Sequence, residues 1–389
     1  MSTDERRALR LSLVWLFALL TLQGLAAWLA LMAAIVAGCL VDISPPDGDP
    51  GWYFVFAGWL GLIASPLSGT LVLVAFRPSE PAARQRRRIA LRVLGTVSTL
   101  LLVTAVALGA IGWVGSERTI HPPRKVEEYH LGQYDLPVEQ VHFPSRDGLM
   151  LAGWFIPGTN GGTVILAHGY DRSRANLLPH ADYLHRAGFS VLLFDFRGRG
   201  ESEGDTVTAG VKEPLDIQGA VDYLKGRPDV DPERIGVQGV SLGAASAILA
   251  AAQTPEIKGV VAESAFKSVE SAMGASFRHF VGLPPFPFAP INRFIVERRL
   301  DADADDVVPA RFIGRISPRP VFIIHDRKDD LITDDSGLVL YEAAGEPKEL
   351  WLVPGAEHGK GWQQAPQEYE RRVLAFWRRT FGIGETAGP

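Results

Sequence analysis

The chain has 389 residues, of which 47% are hydrophobic, and a formal net charge of -5 from 39 Lys and Arg against 44 Asp and Glu. A single cysteine excludes a disulfide framework and a cysteine-based zinc site, because each needs more than one cysteine. The nearly balanced charge gives no reason to expect nucleic acid as a partner.

The first third of the chain contains three long stretches without a charged residue. They run from Leu11 to Val41, from Gly51 to Phe76 and from Val93 to Ser116. Each is longer than the roughly 20 residues that cross the hydrocarbon core of a bilayer. The pattern predicts a membrane region at residues 1–116, with three transmembrane helices at about 11–38, 53–76 and 93–114.

The basic residues of the connections predict an orientation in the cell membrane. Arg6, Arg7 and Arg10 precede the first span, and the connection between the second and third contains Arg77, Arg84, Arg86, Arg87 and Arg88. The connection between the first and second spans, at residues 42–50, has three Asp and no Lys or Arg. Since cytoplasmic loops are enriched in Lys and Arg, the N-terminus is predicted to be cytoplasmic and the residues after Ser116 to lie on the outer (extracellular or periplasmic) side.

An alternative interpretation treats the N-terminus as a cleaved signal sequence. Val36, Ala37, Gly38 and Cys39 resemble the lipobox of bacterial lipoproteins, which would make Cys39 a lipid-modified N-terminus. The apolar run is longer than a signal sequence needs, and two more apolar stretches follow it. Packing of small residues on a transmembrane helix is the simpler explanation.

The pattern changes after a proline-containing linker at residues 117–136. Apolar, β-branched runs alternate with helical patterns from residue 137 to 384, as in a parallel sheet covered by helices. The predicted strands are 138–143, 149–156, 163–167, 191–195, 234–238, 259–262, 321–325 and 349–353. The predicted helices are 176–187, 212–224, 242–252, 336–344 and 367–381.

The sequence Gly239-Val240-Ser241-Leu242-Gly243 lies between a predicted strand and an alanine-rich helix. A nucleophile elbow needs this pattern, because Gly on both sides allows a strained turn to raise the serine hydroxyl above the sheet. The alternative is a glycine-rich turn in which Ser241 only caps the helix.

Two further blocks make the resemblance specific. Ala167-His168-Gly169-Tyr170 follows the third predicted strand, and the block Asp195-Phe196-Arg197-Gly198-Arg199-Gly200-Glu201-Ser202 follows the fourth. With the elbow, they resemble the α/β-hydrolase superfamily, and its serine aminopeptidase-like and prolyl-oligopeptidase-like members in particular. The resemblance implies an α/β-hydrolase fold, with a mostly parallel eight-stranded sheet, flanking helices and a lid insertion, after three transmembrane helices.

The resemblance also implies a catalytic triad in the chain order Ser, Asp, His. Ser241 is the expected nucleophile, and His358, just after the last predicted strand, is the expected base. Asp329 is favoured as the acid over Asp330, and Asp326 is a further neighbour. Relatives commonly have Gly at the position of Asp326, directly after the strand.

The same resemblance places the oxyanion hole at the backbone amides of Tyr170 and Leu242. Such a site needs no metal and no organic cofactor, and none is expected here. Asp301, Asp303, Asp305 and Asp306 resemble the start of a calcium loop, but its sixth position is Asp306 instead of Gly and its twelfth is Phe312 instead of Glu.

A segment at about 264–316 interrupts the alternation and is predicted to form the lid. It contains six phenylalanines that either line a pocket for an acyl or peptide group or only pack the lid onto the domain: Phe266, Phe277, Phe280, Phe286, Phe288 and Phe294.

The functional hypothesis is a membrane-anchored serine hydrolase that cleaves an ester, thioester or amide. Its partners are a small-molecule or lipid-like acyl substrate and the bilayer, and its oligomeric state is left open. Carboxylesterase or lipase-like activity is favoured. The alternatives are a serine peptidase of the same fold and a catalytically silent α/β-hydrolase scaffold that binds a ligand or partner.

Overall fold

The computed structural model describes residues 81–124, 129–276, 285–332 and 335–384. The chain divides between Val114 and Gly115 into two units. The first and second predicted spans, at about 11–38 and 53–76, and the possible lipobox at Cys39 lie outside the described residues.

Helix α1 (Pro81–Ile120) contains 40 residues and includes the third predicted span. Within it, Val93–Ile120 is long and apolar enough to cross a membrane, with a mean hydropathy of 2.1, and is the one such helix among the described residues. The helix is longer than predicted at both ends. Arg84 and Arg88, expected in a connection, belong to it, because Arg is a good helix former and Pro81 occupies the first turn, where proline is tolerated. The predicted linker at 117–136 likewise begins inside the helix.

An eight-stranded sheet organises residues 139–353. The strands are β1 (Glu139–Pro144), β2 (Met150–Ile156), β3 (Thr163–Ala167), β4 (Ser190–Phe194), β5 (Ile235–Val240), β6 (Ile257–Glu263), β7 (Val321–Asp326) and β8 (Lys348–Val353). Their spatial order is β1-β2-β4-β3-β5-β6-β7-β8. β2 is antiparallel to β1 and β4, and the other neighbours pair in parallel. The predicted mostly parallel sheet is confirmed, with strand ends shifted by a residue or two.

Helices cover both faces of this sheet. They are α2 (Leu178–Arg186), α3 (Glu213–Lys225), α4 (Leu242–Gln253), α5 (Val269–Ser276), α6 (Pro285–Leu300), α7 (Pro309–Phe312), α8 (Asp335–Ala343), α9 (Gly361–Gln364) and α10 (Pro366–Phe381). One buried cluster joins the sheet to Ile217 of α3 and Ala247 of α4. The other joins it to Leu184 of α2 and Phe376 of α10. Strands buried on both faces read as continuous apolar runs, which is why their positions were predictable.

The segment between β6 and β7 is the insertion predicted as a lid. Its described residues form α5, α6, α7 and short 3-10 turns, without a strand among them. Phe266 is buried and packs with Leu242, the residue after Ser241. Phe286, in contrast, is 79% exposed. Phe266 therefore packs the insertion onto the domain, whereas Phe277 and Phe280 lie outside the described residues.

Candidate active site

Ser241 occupies a strained turn between β5 and α4. Its φ of 57° and ψ of -117° are unusual for a residue with a side chain. The strand ends at Val240 and the helix begins at Leu242, so the whole change of direction falls on this one residue. Strain of this kind directs a serine side chain away from the sheet, as the nucleophile elbow requires.

The two glycines of the motif allow three backbones to approach each other closely. A Cβ at Gly239 would lie 2.4 Å from the carbonyl carbon of Gly243. A Cβ at Gly243 would lie 2.1 Å from the carbonyl oxygen of Ala167, at the end of β3. Any larger residue would therefore push the elbow away from the neighbouring strand and its loop.

A chain of hydrogen bonds joins the three residues predicted as a triad. His358 Nε2 lies 2.9 Å from Ser241 Oγ, and His358 Nδ1 lies 2.7 Å from Asp329 Oδ2. The carboxylate of Asp329 accepts a hydrogen bond from Nδ1 of His358. In the neutral ring Nε2 is then the acceptor for the serine hydroxyl. The geometry therefore suits transfer of the serine proton to His358.

Asp329 is held in place by its own loop. Its Oδ1 accepts hydrogen bonds from the amides of Leu331 at 3.0 Å and Ile332 at 2.6 Å. Its side chain is fully shielded from solvent, whereas that of His358 is 20% exposed. The structure places Asp329, and not the exposed Asp330, against His358.

The loop that carries the predicted oxyanion amide of Tyr170 lies beside Ser241. A Cβ at Gly169 would be 3.7 Å from the Cβ of Ser241. The buried ring of His168 fixes the loop: Nε2 accepts from the amide of Phe196 at 3.0 Å, and Nδ1 donates to the carbonyl of Gly169 at 2.7 Å. Burial lowers the pKa of His168 to about 4, so the ring is neutral at pH 7 with its proton on Nδ1.

This hydrogen bond determines where the Tyr170 amide points. In a trans peptide the carbonyl and the following N–H point in opposite directions. Because His168 holds the carbonyl of Gly169, the N–H of Tyr170 is fixed as well. The amide of Leu242 belongs to the first turn of α4, where helix amides lack a partner within their own helix. Both positions suit the binding of a developing negative charge.

The block that begins at Asp195 is structural. The buried carboxylate of Asp195 accepts from the amides of Arg174 at 2.7 Å and Glu201 at 2.9 Å, and it pairs with the Arg174 guanidinium. Gly200, with φ +47°, is required there, since a Cβ would lie 1.9 Å from Asp195 Oδ2. Arg197 binds Asp147 and Asp216. These side chains hold the loops in place, and each is engaged by another part of the domain.

Neither a metal cluster nor a calcium loop is found in the part of the chain that the structure describes. No group of three or more His, Cys, Asp or Glu side chains there could hold a metal ion. In the acidic turn after α6, Asp303 Oδ1 accepts from the amide of Asp305 at 2.8 Å. Arg293 supplies a positive charge, 3.2 Å from Asp305.

Two acidic residues behind the triad were not predicted to take part in the site. Glu263 ends β6 and Asp326 ends β7, and both are buried beside the loop that carries His358. The sequence contained one signal, an acidic residue at the end of a mostly apolar strand. Pattern alone did not show which neighbours these carboxyl groups would meet.

Parts of this chain are similar to known proteins. Residues 148–279 match the family described as X-Pro dipeptidyl-peptidase (S15 family). The uncharacterized protein Rv2307c of Mycobacterium tuberculosis is 31% identical over 291 residues, which cover 74% of this chain and 94% of that protein. The uncharacterized protein YfhR of Escherichia coli K12 is 29% identical over 228 residues, 57% of this chain and 73% of that protein.

A solved structure is similar in both sequence and fold. The esterase Pf2001 of Pyrococcus furiosus is 30% identical, with a TM-score of 0.57, and the match covers 67% of this chain and 100% of that one. An α/β hydrolase, GrgF from Penicillium, shares the fold at 22% identity and a TM-score of 0.52. The sheet order, the serine elbow and these similarities together show that the chain belongs to the α/β-hydrolase superfamily.

Proposed function

We propose that this protein is a serine hydrolase that cleaves a carboxylic ester by way of an acyl-enzyme. The observation that carries the proposal is the hydrogen-bonded order Asp329–His358–Ser241, with 2.7 Å and 2.9 Å between the partner atoms. A scaffold that only binds a ligand has no need for a strained serine whose hydroxyl meets a histidine fixed by a buried carboxylate.

In the proposed reaction Ser241 Oγ attacks the carbonyl carbon while His358 Nε2 takes the hydroxyl proton. Asp329 stabilises the imidazolium that forms. The amides of Tyr170 and Leu242 bind the oxyanion, and each donor contributes about 3 to 4 kcal/mol in comparable sites. His358 then gives its proton to the leaving group, and water, activated by the same imidazole, hydrolyses the acyl-enzyme.

Ester cleavage is favoured by the similarity to the esterase Pf2001, which extends over the whole of that chain. Peptidase activity is the second candidate, because the S15 peptidase family matches residues 148–279, which include Ser241. Thioesters and amides react by the same steps. We propose a small-molecule or lipid-like acyl group as the part of the substrate that Ser241 receives.

We also propose that the enzyme is anchored in the cell membrane, with its hydrolase domain on the outer side. Support comes from the apolar part of α1, Val93–Ile120, and from the arginines before the first and third uncharged stretches. A reporter fused after residue 389 tests the orientation. A reporter that is active only in the cytoplasm would overturn it.

The activity is tested with full-length protein in detergent. Fluorophosphonate labelling and hydrolysis of short-chain and long-chain p-nitrophenyl esters are compared between wild type and Ser241→Ala, with an Xaa-Pro p-nitroanilide as the peptidase substrate. Labelling and ester turnover that disappear in the variant support the proposal. Turnover of the anilide alone favours the peptidase, and a folded wild type that neither labels nor turns over any substrate favours the silent scaffold.

A further inference from the structure

Two buried carboxyl groups lie behind the loop of His358 and outside the triad. Glu263 is 1% exposed and Asp326 is fully buried, at the ends of the neighbouring strands β6 and β7. A Cβ at Gly361 would lie 2.8 Å from Glu263 Oε1 and 3.0 Å from Asp326 Oδ1. Both oxygens therefore lie close to the same point, so the distance between Glu263 Oε1 and Asp326 Oδ1 is at most about 6 Å. At this distance two like charges shift each other's pKa.

No positive side chain among residues 129–276, 285–332 and 335–384 forms an ion pair with either group. Glu263 accepts hydrogen bonds from the amide of Gly361 at 2.9 Å and from the hydroxyl of Tyr369 at 2.6 Å. Asp326 Oδ2 accepts from Ser264 Oγ at 3.0 Å and from the amide of Lys360 at 3.2 Å, whereas its Oδ1 has no hydrogen-bond partner among the described residues. Two unpaired charges at this depth are too costly, so one proton stays on the pair.

Glu263 and Asp326 are linked by hydrogen bonds to the segments that carry the three triad residues. The amides of Lys360 and Gly361, which it binds, come two and three residues after His358. The backbone carbonyl of Asp326 accepts from the amide of Asp329 at 3.1 Å. The backbone carbonyl of Glu263 accepts from the amide of Ser241 at 2.8 Å. A movement of either carboxyl group would therefore displace the loop of His358, on which proton transfer depends.

We propose that Glu263 and Asp326 form a proton-sharing carboxyl pair that positions His358 for catalysis. This inference rests on the proposed serine hydrolase activity. With one shared proton the pair holds the His358 loop through the amides of Lys360 and Gly361. With both groups ionised, mutual repulsion separates them and loosens that loop. They act as positioning residues, since neither contacts the reacting atoms.

Burial and the neighbouring carboxylate raise the pKa of Glu263, and burial raises the pKa of Asp326. Other titratable groups near the pair lie on α10, on α2 and on the loops of Asp329 and His358: Tyr369, Tyr183, Asp329, His358 and Lys360. Burial raises the pKa of Tyr369 well above its usual value, so its hydroxyl remains a donor at alkaline pH. Asp329 favours retention of the shared proton, and a protonated His358 opposes it.

The test compares full-length wild type with the variants D326N and E263Q. Each variant replaces one carboxyl group by an amide of nearly the same shape and leaves the other carboxyl group ionisable. Wild-type kcat is expected to fall about tenfold as the pair loses its proton at alkaline pH, the scale of a small misplacement of a catalytic group. Both variants are expected to keep their kcat at alkaline pH, with KM unchanged.

D216N is the matched control. Asp216 is also buried, its pKa is raised to about 6, mainly by burial, and it pairs with Arg197. D216N keeps the wild-type alkaline loss.

The melting temperature gives a readout that does not require activity. A raised pKa stabilises the fold below the unfolded value, and this contribution disappears as pH rises through the folded value. The wild-type melting temperature should therefore fall more steeply with rising pH than that of D326N or E263Q.

Parallel profiles of melting temperature against pH for wild type and the variants overturn proton sharing. Divergent melting profiles with identical kcat profiles overturn the positioning role. Absence of labelling and turnover in folded wild type refutes the serine hydrolase activity, while the melting comparison still decides whether the proton is shared.

Discussion

At the scale of single residues, Asp329 and Asp330 differ in what they can do for His358. Asp329 lies 2.7 Å from Nδ1, and its other oxygen is held by two amides. Asp330 is exposed. We expect D329N to lower kcat roughly ten-thousand-fold, because an amide stabilises the wrong tautomer of the imidazole and cannot balance its positive charge.

The measurement is steady-state ester hydrolysis at pH 7, with D330N as the matched control. D330N should retain wild-type kcat and KM, since Asp329, and not Asp330, accepts the hydrogen bond from His358 Nδ1. Melting temperatures establish that both variants are folded. Equal activity of D329N and wild type would remove Asp329 from the proposed mechanism.

His180 gives a prediction about pH and stability. Its ring is buried against Tyr369 and Trp362, and both of its nitrogens lack a hydrogen-bond partner among the described residues. Burial lowers its pKa to about 3. Since the unfolded chain takes up a proton near pH 6.5 and the folded ring does not, the free energy of unfolding falls as pH drops from about 6.5 towards 3.

We expect H180F to lose less stability than wild type over that acid range. The substitution keeps the aromatic contacts and removes an uncompensated buried imidazole. Chemical denaturation at pH 7, 6, 5 and 4 measures the difference. H185F is the control for a neighbouring histidine of the same helix. Profiles that run parallel for wild type and H180F would show that His180 is not the group responsible.

These residues also show where sequence reasoning ends. Ser241 and His358 could be placed because each follows a strand at a point where the superfamily places its chemistry. The role of Glu263 could not be predicted, because it depends on contacts with Asp326 and with Tyr369. Tyr369 belongs to α10 and lies 106 positions further along the chain. Contacts between residues so far apart depend on the packing of whole elements, which no local pattern records.

At the scale of elements, the turn from β5 into α4 depends on Gly243. A Cβ at this position would meet the backbone oxygen of Ala167 at 2.1 Å, and a strand carbonyl cannot move aside as a side chain can. We expect G243A to reduce the free energy of unfolding by about 3 kcal/mol, the upper end of overpacking costs. It should also lower kcat, because the elbow carries Ser241.

The matched control is G274A in α5, where a Cβ would meet nothing within 4 Å. That substitution should be neutral or stabilising, by about 0.4 to 1 kcal/mol, because it restricts the unfolded chain. Denaturant unfolding of both variants measures the contrast. Similar losses in G243A and G274A would contradict close packing at the elbow as the reason for the glycine.

The elements themselves were predictable to different degrees. β3 was predicted with its observed limits because all of its residues are apolar or β-branched and fully buried. α1 was predicted too short, since hydropathy identifies only its membrane-compatible part and not the arginine-rich turns that continue the same helix. Arginine is a good helix former, so charge marks the end of an apolar stretch but not the end of a helix.

At the scale of the whole molecule, the segment after Val114 is bound to the hydrolase domain and does not act as a free tether. The carbonyl of Thr119 accepts from the hydroxyl of Tyr170 at 2.5 Å, and the carbonyl of Ile120 accepts from the amide of Val207 at 2.8 Å. Arg299 pairs with Glu117 at 2.7 Å, and Arg199 donates to the carbonyl of Pro122 at 2.8 Å. Residues 117–122 of the linker predicted from its prolines are therefore bound to this unit by hydrogen bonds and an ion pair.

Because Tyr170 also carries a proposed oxyanion amide, we expect this segment to support activity as well as stability. A fragment of residues 115–389 should keep its melting temperature and its rate of fluorophosphonate labelling close to those of the full chain. A fragment of residues 129–389 should melt at a lower temperature and label more slowly, because the hydroxyl of Tyr170 and the guanidinium of Arg199 lose the carbonyls that they bind.

The variant Y170F in the full chain separates the effect on activity from the effect on stability, since it removes one hydrogen bond to Thr119 and leaves the segment in place. If the shorter fragment matches the longer one in both measurements, the segment is only a connection and does not support the oxyanion loop.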